Sequence, residues 1–243
     1  MRISRTIPVL ADAPVALTIG NFDGVHLGHQ AMLARLSDAA RARGLISCVM
    51  TFEPHPREFF MPDRAPTRIA LLRDKLESLR KQGVDRVVVE HFNAHFAGQT
   101  PDEFVRNVLV DGLHTRWLLV GDDFRFGAKR AGDYAMLDAA GEARGFDVAR
   151  MLSYEVHGER VSSSVVREAL TAGDMARVAT PLGQWPVWQR CAWMQPIASI
   201  ASRATATTSQ PSAKANSTCS GKPSLPEPLN TTLSWSPRSA IVR

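Results

Sequence analysis

The chain contains 243 residues, of which 44% are hydrophobic and 22% are charged. This balance allows a sizeable buried core and excludes a chain that is disordered along its whole length. No run of eighteen apolar residues is present, and Pro8, Asp12 and Pro14 interrupt the N-terminal apolar stretch. The sequence therefore predicts neither a membrane-spanning helix nor a secretory leader, and we expect a cytoplasmic protein without a membrane partner.

The net charge of +5 comes from the C-terminal part of the chain. Residues 185–243 contain six basic residues and one acidic residue, whereas basic and acidic residues are equal in number over residues 1–184. A balanced folded region does not predict nucleic-acid binding. The cysteines Cys48, Cys191 and Cys219 form no CxxC pair, so we expect neither a disulfide framework nor a structural zinc site.

The composition changes after Gln184. Four of the five tryptophans and seven of the fifteen prolines follow this residue, but only one glycine does. Residues 201–228 are a mixture of Ser, Thr, Pro and Ala without helical or strand periodicity. We expect a folded domain over residues 1–184 and a largely disordered tail over residues 185–243, apart from a short ordered piece around residues 185–193.

Apolar runs alternate with amphipathic stretches between residues 15 and 184, as is typical of parallel strands connected by helices. Strands are predicted over residues 15–19, 46–52, 84–89, 117–120 and 146–151. Helices are predicted over residues 30–43, 68–82, 101–110, 134–144 and 163–172. This order predicts an α/β fold with a doubly wound parallel sheet, whose ligands bind at the carboxyl ends of the strands.

The segment GNFDGVHLGH, residues 20–29, lies between the first predicted strand and the first predicted helix. Its glycines let the backbone approach a ligand closely, and the helix N-terminus offers free N–H groups to phosphate. His26 and His29 are three residues apart, so their rings face the same side of the helix start. The spacing differs from GxGxxG and from GxxxxGK[ST], which excludes a Rossmann dinucleotide fingerprint and a P-loop. The alternative is that both histidines only cap and pack.

A serine-rich segment starts the last predicted helix. Ser162, Ser163 and Ser164 can offer hydroxyl and N–H groups to phosphate, and Arg167 can meet β- and γ-phosphates from the first turn. Ordinary helix capping would explain one serine, but not three serines together with the arginine. We interpret the segment as a phosphate site.

The first segment resembles the HxGH motif of the nucleotidyltransferases, in the form used by bacterial FAD synthetases, the bifunctional riboflavin kinase/FMN adenylyltransferases. TFEPHP at 51–56, GDDFRFG at 121–127 and VSSSVVR at 161–167 resemble further motifs of that family's adenylyltransferase domain, in the same order. The resemblance covers residues 15–183. It implies a Rossmann-like nucleotidyltransferase domain that transfers AMP from ATP to FMN, with FAD and pyrophosphate as products.

The residue types suit such a reaction, in which protein groups position the substrates and stabilise charge. His26 and His29 can donate hydrogen bonds to the α-phosphate as negative charge develops there, and Arg167 completes the predicted catalytic set. The residues predicted to contact ATP are Gly20, Phe22, Gly28, Ser162, Ser163 and Ser164. The residues predicted to contact the flavin are Asn21, Asp23, His55 and Asp123.

Magnesium is expected because ATP acts as its magnesium complex. No carboxylate cluster in the sequence resembles a metal cage, and Asp23 and Asp123 are the nearest candidates. His55 could contact phosphate or flavin, or could equally be hydrogen-bonded within a rigid loop. Phe124 and Phe126 could face the isoalloxazine ring, but aromatic residues at alternating positions more often pack in the core, so we do not name them as ligands. The oligomeric state cannot be derived from the sequence.

In the bifunctional proteins of this resemblance, a β-barrel riboflavin kinase domain follows. Residues 185–243 are too few for that domain, lack alternating strands, and have a composition that resembles out-of-frame translation, so we expect no kinase activity. One alternative is a related nucleotidyltransferase with another phosphate acceptor, which TFEPHP and GDDFRFG disfavour. Another is an inactive flavin- or nucleotide-binding remnant, which the intact His26, His29 and Arg167 disfavour.

Overall fold

A computed structural model of the chain describes residues 1–8, 12–156 and 158–183. The predicted tail over residues 185–243 lies outside the described residues, as does the short ordered piece predicted within it. No helix of the described ranges is long and apolar enough to cross a membrane.

Strands and helices alternate through most of the described chain. The strands are β1 (Arg2–Ser4), β2 (Val15–Ile19), β3 (Ile46–Glu53), β4 (Arg86–His91), β5 (Thr115–Gly121), β6 (Asp147–Met151), β7 (Glu155–Val156) and β8 (Glu159–Arg160). The helices are α1 (Leu27–Arg43), α2 (Pro56–Phe60), α3 (Leu72–Lys81), α4 (Ala94–Gly98), α5 (Pro101–Phe104), α6 (Tyr134–Arg144), α7 (Ser163–Ala172) and α8 (Met175–Leu182). A π-helix, Val105–Gly112, continues α5, and 3₁₀ turns lie at Pro62–Arg64 and Ala128–Arg130.

Six parallel strands form one sheet in the order β1-β4-β3-β2-β5-β6. From β2 the chain passes through β3 to β4 on one side, and it then returns to place β5 and β6 on the other side of β2. This reversal opens a crevice at the carboxyl ends of β2 and β5, where such sheets bind their ligands. The predicted doubly wound α/β fold is therefore confirmed, and β7 and β8 form a separate antiparallel ribbon.

Both faces of the sheet are buried, and the alternation of side chains along β2 divides the core. Val15, Leu17 and Ile19 face one hydrophobic cluster, which includes residues of α5 and the π-helix. Ala16 faces the second cluster, to which α1 contributes Leu33. Burying a leucine of this kind stabilises the fold by about 1.5–3 kcal/mol relative to exposure, so both helical layers are held firmly on the sheet.

The structure differs from the predicted element boundaries where side chains bind the backbone. The helix predicted over residues 68–82 begins only at Leu72, and the N–H groups of Ile69 and Ala70 before it donate to the Asp23 carboxylate. The helix predicted from residue 30 begins at Leu27, after the capping side chain of His26. The short elements β1, α2, α4, β7, β8 and α8 were not predicted, because a segment of so few residues does not show a clear hydrophobic period.

Substituting Gly141 by alanine in α6 should lower the free energy of unfolding by about 1–3 kcal/mol through overpacking. A Cβ at this position would lie 2.4 Å from the Phe146 carbonyl oxygen. Replacing glycine by alanine within a helix usually raises the free energy of unfolding by about 1 kcal/mol, so we expect a change of the opposite sign at Gly141. Urea denaturation would measure it, with Gly98→Ala as the control because a Cβ there meets nothing within 4 Å. A more stable Gly141→Ala variant would contradict this packing.

Candidate active site

The loop between β2 and α1 turns sharply at the carboxyl edge of the sheet. The Gly20 N–H donates to the Met50 carbonyl of β3 at 3.0 Å. Phe22 and Val25 adopt left-handed conformations with φ of 48° and 40°, which cost about 1–3 kcal/mol for residues that carry a Cβ. Both side chains are buried, so packing maintains these conformations. The strained turn leads directly to His26 at the start of α1.

The two histidines form a stacked pair. His26 is the N-cap of α1, and its Nδ1 accepts a hydrogen bond from the backbone N–H of His29 at 3.3 Å. The ring centroids of His26 and His29 lie 3.6 Å apart at an interplanar angle of 18°. Phe22 packs against His29 with a centroid distance of 4.9 Å. The two rings thus lie on the same side of the helix start, as predicted, and His26 also caps the helix, which was the alternative.

Both imidazoles are held neutral at pH 7. Burial lowers the pKa of His26 to about 4. Burial also holds the pKa of His29 well below its ordinary value, and the nearby charges of His26 and Lys75 act in the same direction. Because Nδ1 of His26 accepts a hydrogen bond, the proton of the neutral ring lies on Nε2, which can donate. Nδ1 of His29 is buried without a hydrogen-bond partner.

Asp23 connects the histidine loop to two distant segments. Its carboxylate accepts hydrogen bonds from the N–H groups of Ile69 and Ala70 at 3.0–3.1 Å and pairs with the Arg167 guanidinium at 2.6 Å. Arg167 Nε also donates to the Thr67 carbonyl at 2.7 Å. Asp23, predicted to contact the flavin, and Arg167, predicted to contact phosphate, therefore form an ion pair with each other. Their contacts with substrates stay predictions.

The three serines at the start of α7 have different environments. Ser162 is the N-cap, and its Oγ accepts a hydrogen bond from the Val165 N–H at 3.3 Å. The Ser163 hydroxyl donates to the Asp23 carbonyl at 3.0 Å. Ser164 is exposed. Capping thus accounts for Ser162, while Ser163 fixes α7 beside the histidine loop.

His55 starts α2 and belongs to a capping box. Its Nδ1 accepts from the Arg57 N–H at 3.0 Å, and its own N–H donates to the Glu58 carboxylate at 3.1 Å. Burial lowers its pKa. Arg68 pairs with both Glu58 and Glu53 at 2.6 Å, which ties this loop to the segment before α3. His55 is therefore hydrogen-bonded within its loop and also lines the cleft beside it.

A cleft of about 970 Å³ opens at the carboxyl ends of β2, β3 and β5. The predicted site residues that line it are Gly20, Asn21, His55 and Asp123. Its apolar wall is largely aromatic and includes Phe52, Phe92, Phe96, Phe104, Phe124 and Phe126. Several of these rings meet edge to face or tilted at centroid distances of 5.2–6.2 Å. Such a wall fits a flat ring system.

Two of the predicted flavin residues differ in their surroundings. The Oδ1 atom of Asn21 is buried without a hydrogen-bond partner, so it can accept from a bound ligand. The Asp123 side chain is largely exposed and lies 3.5 Å from the Arg160 guanidinium. Phe124 and Phe126 pack with the core as expected, but both also line the cleft.

Sequence reasoning missed the aromatic wall and two cations, Arg68 and Lys75. The phenylalanines come from β3, from the segment after β4, from α4 and α5, and from the loop after β5, so no single local pattern joins them. Lys75 did have a signal, since it shares a face of α3 with Leu72 and Leu79, where an apolar side chain is expected. Arg68 was placed in a helix, whereas its segment is an irregular connection.

Within the described ranges, no group of three or more His, Cys, Asp or Glu side chains could hold a metal ion. The Asp23 oxygens are occupied by Arg167 and two backbone N–H groups, and Asp123 lies beside Arg160. These residues do not fit a dedicated magnesium cage. A magnesium ion bound here would have to depend mainly on phosphate and water oxygens.

A family model described as FAD synthetase matches residues 10–165. The chain belongs to the FAD synthetase family. It is 45% identical over 186 residues to the bifunctional riboflavin kinase/FMN adenylyltransferase of Escherichia coli (strain K12), covering 75% of this chain and 59% of that relative. It is 50% identical over 167 residues to the protein of the same name from Pseudomonas fluorescens, covering 69% and 53%. The chain therefore spans little more than half the length of these relatives.

A crystal structure described as a macrolide-efflux protein from Streptococcus pneumoniae is also similar, with a TM-score of 0.65 and 23% identity. The match covers 75% of this chain and 61% of that one. At this identity the likeness shows the fold alone.

Removing the charge of Asp23 should destabilise this FAD synthetase family member by about 3–5 kcal/mol, because Arg167 would lose its buried partner. Urea denaturation of Asp23→Asn would measure the loss. Asp38→Asn is the matched control, since Asp38 pairs with Arg41 on the exposed surface of α1 and should change stability by less than about 1 kcal/mol. Equal effects of the two substitutions would contradict the assigned role of Asp23.

The stability of this FAD synthetase family member should fall between pH 7 and pH 4. The pKa of His26 is about 4 in the folded chain, against an ordinary value of 6.5. In this window the unfolded chain binds a proton that the folded chain does not, so acidification favours unfolding, by up to about 3 kcal/mol from His26. Urea denaturation across this range should show a smaller pH slope for His26→Gln than for the wild-type chain. Equal slopes for the two proteins would refute the assignment.

Proposed function

We propose that this chain is an FMN adenylyltransferase, which forms FAD and pyrophosphate from FMN and ATP. The observation that carries the proposal is a neutral, stacked histidine pair on the loop whose first residues line an aromatic cleft. Gly20 and Asn21 line the cleft, and the same short loop continues to His26 and His29. The arrangement suits an acceptor that combines a flat ring system with a phosphate group.

In the proposed reaction, a phosphate oxygen of FMN attacks the α-phosphorus of ATP in line. The bond between this phosphorus and the bridging oxygen of the β-phosphate breaks, and pyrophosphate leaves with the electron pair. Positioning and charge stabilisation then account for most of the catalysis. His26 and His29 donate hydrogen bonds to the α-phosphate as charge develops, and the free N–H groups at the start of α1 act in the same direction.

The cleft supports a flavin acceptor by its size and lining. Its volume of about 970 Å³ lies within the usual range for small-molecule sites. The phenylalanines can stack against or meet the edge of the isoalloxazine ring. Asn21 Oδ1, which is buried and unpaired, can accept a hydrogen bond from the flavin. An acceptor without a ring system, such as a pantetheine phosphate, would leave this aromatic wall uncovered, so we favour FMN over other acceptors.

The phosphates of ATP are proposed to lie between the starts of α1 and α7. Ser164 is exposed there, and Gly28 leaves space beside His26 because an added Cβ would lie 3.3 Å from that ring. Arg167 uses Nε and one Nη nitrogen for Thr67 and Asp23. A guanidinium has five N–H donors, so the remaining ones can meet a phosphate without loss of the ion pair.

The proposal is restricted to adenylyl transfer. The relatives are named for two activities, and this chain spans 59% or less of those cited, so riboflavin kinase activity is not part of the proposal. Magnesium enters with ATP as its complex, without a protein cage of its own. We also propose a cytoplasmic location, where ATP is available and the free thiol of Cys48 stays reduced.

Purified chain incubated with magnesium, ATP and FMN should form FAD, whereas riboflavin in place of FMN should yield no FMN. Chromatography of the flavins would measure both reactions. His29→Ala should lower kcat by about 100- to 1000-fold, because a hydrogen bond specific to the transition state is lost, while the dissociation constant of ATP changes little. His91→Ala, at an exposed position, is the control. Equal losses in turnover and ATP affinity would contradict the role of His29.

A further inference from the structure

Lys75 is a charged residue on the inner face of α3. Its side chain is only 6% exposed, and Leu79 one turn later is fully buried. The Nζ atom donates a hydrogen bond to Thr51 Oγ1 at 3.3 Å. An ammonium group has three N–H donors, and this is the one partner that Nζ has among the described residues. Two donors are therefore left for another group.

No carboxylate lies within 4 Å of Nζ in the described part of the chain. Asp23, Glu53 and Glu58 attract its charge, but each of them bonds directly to an arginine. The three carboxylates equal in number the three cations Lys75, Arg68 and Arg167, so the cluster as a whole is neutral. Lys75 takes part in this charge balance without direct contact with a carboxylate. A buried ammonium without a direct ionic partner is costly to the fold, which indicates a role other than stability.

The Lys75 ammonium is linked through Thr51 to a residue that lines the cleft. Thr51 is near the carboxyl end of β3, and its hydroxyl donates to the Asn21 carbonyl at 3.1 Å. Asn21 and Phe52, the residue after Thr51, both line the cleft. The charge of Lys75 also lowers the pKa of both His29 and His55. A phosphate that is attached to a ring system in the cleft and reacts beside His29 would lie along the loop from Asn21 to His29, and the Asn21 carbonyl of this loop is bonded through Thr51 to Lys75.

We propose that Lys75 binds a phosphate oxygen of a substrate at the junction between the cleft and the histidine pair. The assignment rests on the proposed adenylyl transfer. Two substrates carry this chemistry, since FMN has a phosphomonoester and ATP has a triphosphate. Riboflavin has the same ring system as FMN without the phosphate, so it separates binding of the ring from binding of the phosphate.

Isothermal titration calorimetry on the full chain would compare FMN, riboflavin and magnesium-ATP. Lys75→Met should weaken the binding of FMN by about 10- to 100-fold, the usual worth of a hydrogen bond to a charged group, and leave riboflavin unchanged. A loss of affinity for magnesium-ATP alone would also support the proposal, and it would show that Lys75 binds a phosphate of ATP rather than that of FMN. Lys75→Arg should retain most of the affinity, and Lys81→Met, at the exposed end of the same helix, is the control.

Two results for Lys75→Met would overturn the assignment. One is an unchanged affinity for both FMN and ATP, and the other is an equal loss of affinity for FMN and riboflavin. The Tm of Lys75→Met should stay the same or rise, because a buried charge is removed. A lower Tm with unchanged affinities would instead assign Lys75 to charge balance. If Lys75→Met does not fold, Lys75→Gln must show the same loss of phosphate-dependent affinity for the assignment to stand.

Failure of the proposed function gives a different result. A wild-type chain that binds FMN more tightly than riboflavin but forms no FAD would refute adenylyl transfer. The loss of that preference in Lys75→Met would still support the phosphate site. A wild-type chain that forms FAD with the same kinetics as Lys75→Met would keep the function and refute the site.

Discussion

The buried carboxylate of Asp23 holds together three segments that are far apart in the sequence. It accepts from the N–H groups of Ile69 and Ala70 and pairs with Arg167 on α7. In surroundings of low dielectric constant, each of these bonds is stronger than in water, and an unpaired charge would be costly. The ion pair with Arg167, together with the bond from the Ser163 hydroxyl to the Asp23 carbonyl, holds α7 beside the histidine loop.

The same edge of the sheet has two chemically different zones. One zone is an aromatic cleft at the switch point of the sheet, and the other is the polar region between the starts of α1 and α7. The histidine loop joins the zones, because Gly20 and Asn21 line the first and His26 and His29 lie in the second. A substrate with a ring and a phosphate would span both, which is the geometric basis of the proposed adenylyl transfer.

Burial lowers the pKa of three titratable groups at this edge of the sheet, His26, His29 and Lys75. The two histidines are neutral, so that both can act as hydrogen-bond donors or acceptors without adding charge. The Lys75 ammonium donates a hydrogen bond to Thr51 and has no carboxylate at contact distance among the described residues. The fixed positive charge and the neutral donors are thus arranged before a phosphate arrives, which avoids reorganisation during the reaction.

The sequence by itself determined the order of the main strands and helices and the place of the two histidines at the turn from β2 into α1, because apolar periods and i, i+3 neighbours are local features. The predicted start of α1 was residue 30, whereas the helix begins at Leu27. The sequence also predicted that Gly20, Asn21, His55 and Asp123 belong to one edge of the sheet, since these residues follow strands. Only the tertiary structure decided the bonds of Asp23 and Arg167, the aromatic wall and the burial of Lys75. Thr51 and Lys75 are 24 positions apart and Asp23 and Arg167 are 144 apart, so the geometry of these contacts depends on how the layers pack rather than on any local pattern.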